Sequence, residues 1–141
     1  MSATDRVLKL RELNRATLAR QMLLDLPDAP LPSGDTPAPP RFVPDYDNLV
    51  LSHADRGRVI SEENRKKVFL SAARVRATFL IDGFVRGAWK VEKNRKKATL
   101  QIEPFEPLST EDHAALSDEG ERLVRFLAEP QGAEKFEVRF V

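Results

Sequence analysis

The chain has 141 residues, room for one compact domain and an arm. It contains no cysteine, which excludes disulfides, thiolate nucleophiles and zinc–thiolate sites. Its net charge of +1 hides a strong polarisation along the sequence. Residues 1–55 carry 6 Lys/Arg and 8 Asp/Glu, residues 56–97 carry 13 and 4, and residues 98–141 carry 4 and 10, so the segments stand at −2, +9 and −6. Such asymmetry points to a polyanion partner for the middle segment. The plainer reading is that the acidic tail folds back and neutralises it. No apolar run approaches the ~20 residues of a membrane span, and the charged N-terminus does not read as a signal peptide, so a cytoplasmic protein that does not enter membranes is expected.

In chain order, residues 8–25 are rich in Leu, Arg, Ala, Gln and Met and hold no Gly or Pro, which predicts a helix. Its apolar positions wrap nearly all round, so it needs neighbours. Residues 27–44 hold seven of the ten prolines and read as a semi-rigid linker. The expected organisation is therefore an N-terminal helix within 1–26, a linker at 27–44 and a β-rich domain over 45–141.

Within that domain, Asn48–Ser52 reads as a short strand and Ser61 as the cap of a helix over Glu62–Leu70. Arg74–Asp82 has strand character, and Asp82-Gly83 is a strong two-residue hairpin signal. Phe84–Lys93 returns as a strand, with Val85, Trp89 and Val91 expected on one face and Gly87 marking a bulge or a close backbone approach. After a turn at Asn94–Lys97, Ala98, Leu100 and Ile102 alternate with polar residues in a third strand. Ser109 and Asp112 match a capping pattern for a helix to about Ala128, in which Leu116, Gly120, Leu123 and Leu127 form a stripe. Phe136, Val138 and Phe140 alternate in a last strand. The expected fold class is α+β: an antiparallel sheet or partly closed barrel with two packed helices, plus the N-terminal helix on its Pro-rich linker.

The run Asp45-Tyr-Asp-Asn-Leu-Val-Leu-Ser-His-Ala-Asp-Arg56, the helix-prone Leu8–Leu24, Phe79-Leu-Ile-Asp-Gly-Phe-Val-Arg-Gly-Ala-Trp89 and Glu119-Gly-Glu-Arg-Leu-Val-Arg-Phe-Leu127 carry a resemblance. Together they resemble the winged-helix DNA-binding-domain family that includes the AlkZ/YcaQ-type DNA glycosylases. The first helix and the closing β-rich domain are matched, and a Pro-rich stretch stands where that family has a long middle region. The resemblance implies DNA as partner and a role in DNA repair. It also implies a catalytic Gln-x-Gln or Gln-x-Asp motif in that middle, and the glutamines present here, Gln21, Gln101 and Gln131, have no such spacing. No catalytic residue is assigned, and base excision by this chain alone is not expected.

The candidate DNA contacts are a mixed cluster at 53–58 and two of three sets of basic residues. His53, Asp55, Arg56 and Arg58 cluster after the apolar Leu49–Leu51; an extended chain would set His53 and Asp55 on one face. The plainer reading pairs Asp55 with a neighbouring arginine and leaves His53 to cap a carbonyl. Arg65, Lys66 and Lys67 follow on the helix after Ser61, and Arg74 and Arg76, a basic set not counted among the contacts, precede the hairpin. Arg86, Lys90, Lys93, Arg95, Lys96 and Lys97 form a cationic ribbon, expected to present its heads to water and so to phosphates. The alternative is an edge strand kept monomeric by lysine. Ser52 and His53 are sequence neighbours that an extended chain would point apart, which argues against a nucleophile–base pair. Two histidines, His53 and His113, do not define a metal site, so neither metal nor cofactor is expected. Pairing of residues 8–25 with a partner chain or a second copy is the alternative to DNA binding, and a glycosylase component that needs a partner is a third reading.

Overall fold

The computed structural model describes residues 30, 33–71 and 73–141. The chain divides into two units, Met1–Thr36 and Pro37–Val141, and every element below belongs to the second. The predicted helix over residues 8–25 and its partner role lie outside the described residues.

Five strands form one sheet in the order β1-β2-β3-β4-β5: β1 Arg41–Val43, β2 Thr78–Ile81, β3 Phe84–Asn94, β4 Lys97–Pro104 and β5 Lys135–Phe140. The first three junctions are antiparallel and β4–β5 is parallel. The tight turns after β2 and β3 force antiparallel neighbours, whereas the helix between β4 and β5 carries the chain back so that β5 runs alongside β4. The sheet is thus mostly antiparallel, as expected, with one parallel junction at its outer strand. It is open, with β1 and β5 as its outer strands, so the barrel alternative is not adopted. β1 itself lies within residues that composition assigns to the linker.

Local chemistry explains most elements. Asp82 and Gly83 both have positive φ (51° and 72°), the geometry of a two-residue hairpin turn that glycine accepts without steric penalty. Ser61 accepts from the Asn64 amide at 3.1 Å and caps α2, Glu62–Val68. Ser109 accepts from the Asp112 amide at 3.0 Å and caps α3, Thr110–Ala128. Each cap satisfies an amide the helix cannot pair internally. Asn48–Leu51 forms a short helix, α1, where a strand is expected. The Asp47 carboxylate accepts from the Leu49 amide at 2.8 Å and so starts the helical turn.

The sheet separates two cores. On one face α3 packs through Leu116, Val124 and Ala128 onto Phe79, Ala98, Leu100 and Ile102. Gly120 makes this possible, since a Cβ there would stand 2.9 Å from Leu100 Cδ2. The helix is thus turned slightly from the expected stripe, with Val124 and Ala128 buried and Leu123 and Leu127 only partly so. On the other face α1, α2 and the loops beside them bury Val50, Ile60 and Val68 with Val75, Leu80 and Val85. Each such side chain contributes roughly 1.5–3 kcal/mol of burial.

A bulge links the two cores. Phe79 pairs with Gly87 but Leu80 pairs with Val85, so Arg86 is one residue too many on β3. The slip reverses the in–out alternation. Val85 therefore packs with Leu80 in the second core, while Trp89 and Val91 pack against the first. The expectation that Val85 shares a face with Trp89 and Val91 is corrected by that single residue. Gly87 is obligatory here, because a Cβ would strike the Phe79 ring and the Glu103 carbonyl. Trp89 is a packing residue: its Nε1 donates to the Val43 and Thr78 carbonyls at 2.9 and 3.1 Å, and Phe42 meets it edge-on at 5.9 Å.

Candidate nucleic-acid interface

The predicted cations separate into two regions with different surroundings. The ribbon comprises β3, β4 and the turn between them. Arg86 pairs with Glu106 at 2.9 Å, Lys90 with Glu92 at 2.7 Å, Lys96 with Glu134 at 2.5 Å and Lys97 with Glu137 at 2.8 Å. Lys93 bonds the Gln131 side chain. Only Arg95 of the six lacks a side-chain partner among the described residues, and it sits in the tip turn at φ 51°. The heads thus reach solvent, but five of the six already meet a side-chain partner. Residues 129–137 fold back along β4, because the Glu134 and Lys135 amides both donate to the Lys96 carbonyl (2.7 and 2.9 Å). That places the acidic third of the chain against the tip.

Glu137 shows how tightly the match is made. Lys97 and Arg139, with the Thr99 hydroxyl donating at 3.2 Å, hold its carboxyl down at about 2, well below the usual carboxylate range. Hydrogen bonds to the ionised form stabilise the charge, as expected for a carboxylate that accepts from two cations.

The second region is the layer over the second core: the loop at 52–61, α2 and the loop at 69–77. Residues 56–76 carry seven Lys/Arg against two Glu. Four of the cations lie over aromatic rings. Arg56 and Arg65 stand 5.3 and 5.7 Å from the Phe69 ring centre, and Lys67 and Arg76 stand 5.3 and 6.0 Å from that of Phe105. Arg56 is further fixed by donating to the Val50 and Leu51 carbonyls at 2.7 and 3.1 Å, which ties the 52–61 loop to the end of α1. Arg76 reaches Glu103 on β4 and the Lys67 carbonyl, fastening α2 to the sheet. The two glutamates answer Arg65 and Lys67 within the helix, at 3.3 and 3.4 Å. Arg58, Lys66 and Arg74 are exposed and have no carboxylate within ion-pairing distance among the described residues.

The His53 and Asp55 arrangement differs from expectation. Ser52 closes α1 in helical geometry and the chain then turns, so the extended-chain alternation does not apply. Asp55 accepts from the Gly57 amide at 2.9 Å, a local turn bond, and neither Arg56 nor Arg58 pairs with it. His53 is exposed and caps no carbonyl among the described residues. No group of three or more His, Cys, Asp or Glu among the described residues could hold a metal ion.

Arg74, Arg76, Phe69 and Phe105 join this region although the sequence reading did not count them among the contacts. The bridge between Phe69 and Val75, and the Leu70 amide donating to the Arg74 carbonyl at 2.8 Å, bring the 69–77 loop back beside α2. The alternation Arg74-Val75-Arg76 is the sequence signal for that return.

With this geometry in place, comparison with known proteins is direct. A family model described as DNA glycosylase AlkZ-like matches residues 2–126. No curated protein matches the chain. Among solved structures, the Streptomyces sahachiroi DNA glycosylase AlkZ superposes with a TM-score of 0.54 and 22% identity, over 73% of this chain and 26% of that one. At that identity the likeness is one of fold, and this chain spans about a quarter of that protein's length.

Proposed function

Because the chain belongs to the AlkZ-like DNA glycosylase family, we propose that it is a DNA-contacting module of DNA repair. In this reading it is a shortened member of the winged-helix DNA-binding-domain class and is non-catalytic on its own. The observation that carries the reading is the excess of cations over residues 56–97, part of which meets no carboxylate in the described fold. Lys and Arg heads that face water gain by displacing counterions from a phosphate backbone, a sequence-independent and salt-sensitive attraction. The absence of a Gln-x-Gln or Gln-x-Asp spacing anywhere in the sequence supports the non-catalytic part.

Two measurements test this. Titration of the full chain against fluorescent duplex DNA should give an affinity that falls steeply as salt rises. Incubation with alkylated or crosslinked duplex should release no base; product from the purified chain overturns the non-catalytic part and leaves the binding part standing.

A further inference from the structure

We infer that the layer over Phe69 and Phe105, and not the β-ribbon, is the face that grips a duplex phosphate backbone; this rests on the DNA reading above. The layer combines fixed and unmatched cations. Its ring-stacked members, Arg56, Arg65, Lys67 and Arg76, are held in place before any ligand arrives, the last three also by Glu62, Glu63 and Glu103, so little side-chain freedom remains to be lost on binding. Around them, Arg58, Lys66 and Arg74 extend from three separate segments into water, without a carboxylate among the described residues. A pre-ordered cationic floor with unmatched heads at its margin suits a run of phosphates.

The ribbon is built the opposite way. Lys96 and Lys97 must leave Glu134 and Glu137 before either can meet a phosphate. Each exchange returns only the difference between two ion pairs and exposes a carboxylate to the incoming anion. The ribbon's one unmatched head, Arg95, is a single charge.

Two triple variants of the full chain, each removing three positive charges, separate the faces. One is Arg58→Gln with Lys66→Gln and Arg74→Gln; the other is Arg95→Gln with Lys96→Gln and Lys97→Gln. All six positions are exposed, and thermal melts confirm that both variants fold. The probe is a fluorescent duplex titrated at several salt concentrations. The layer triple should lose at least about tenfold more affinity than the ribbon triple and flatten the logarithmic salt slope by about 2 to 3 units. Equal losses, or a larger loss in the ribbon triple, overturn the assignment while the DNA reading stands. A wild-type chain with no salt-sensitive affinity for duplex overturns the DNA reading and this assignment together.

Discussion

The ribbon and the layer hold similar numbers of cations, yet they acquire their counter-charges differently. Along the ribbon, the carboxylates that meet Lys96 and Lys97 come from the far end of the chain, delivered by a parallel strand laid beside β4. In the layer, Glu62 and Glu63 are local, one turn away on the same helix, and answer Arg65 and Lys67, while Glu103 on β4 meets Arg76. A basic stretch in a sequence is thus not a basic surface until the fold has decided which acids arrive beside it. The plainer expectation, an acidic tail folded onto the basic middle, describes the ribbon; in the layer the acidic third reaches only Arg76, through Glu103, because α3 and β5 occupy the opposite face and the outer edge of the sheet.

The largest effect comes from attacking the ribbon at its root. Gly87→Val places atoms inside the Phe79 ring and the Glu103 carbonyl. Neither can withdraw, since Phe79 is fully buried and Glu103 is backbone of a central strand. The variant should lose about 3 kcal/mol or more, with its melting temperature lowered by more than about 10 °C. A melting temperature within a few degrees of wild type would mean that the bulge is soft and that the two cores are not locked to one register.

Phe69→Ala attacks the layer instead. Phe69 ends α2, supports Arg56 and Arg65, and packs on the second core. Its loss should lower stability by about 2 kcal/mol, less than for a fully buried phenylalanine because the ring is only partly covered. Duplex affinity should fall with it, since the two arginines lose their platform. Unchanged affinity at a temperature where the variant is fully folded would show that ring stacking does not organise the binding face.

Much of the framework was legible because it is locally encoded. Ser61 and Ser109 announce their helices, Asp82-Gly83 its turn, and Ala98, Leu100 and Ile102 their buried face. The misreadings have physical causes that lie outside a short window. Asn48–Leu51 is apolar enough for a strand, but the Asp47 side chain supplies a helix-starting bond. The in–out pattern of β3 holds on each side of Arg86 and fails across it, since an inserted residue leaves no mark in alternation except the glycine beside it. The candidate site was legible as composition and illegible as surface: Lys96, Lys97, Lys66 and Arg74 look alike until Glu134 and Glu137 are placed.

Acid sharpens the comparison on the ribbon side. Glu137 is held at about 2 in the folded chain by Lys97 and Arg139, against an ordinary value of 4.5. A depressed folded value means that the unfolded chain takes up the proton first. The contribution is therefore complete above about 4.5 and is lost as pH falls from there toward 2. Glu137→Gln should flatten the decline in melting temperature across that window, and high salt should shrink the difference because the pair is exposed. Parallel melting curves for the two proteins would show that this carboxylate does not hold the ribbon to the C-terminal strand.

The smallest effect concerns Arg95, where the two regions can be told apart at one residue. It occupies a positive-φ position at the ribbon tip, a conformation that disfavours a non-glycine residue by about 1 kcal/mol. Arg95→Gly removes that strain but also loosens the unfolded chain, so the net gain should be a few tenths of a kcal/mol. If the layer is the binding face, the same change should cost less than about threefold in duplex affinity and reduce the salt slope by no more than about one unit. A loss comparable to that of the layer triple would instead make the strained arginine the principal contact. The backbone strain at the tip would then be maintained for binding, and the paired lysines around it would be its mount.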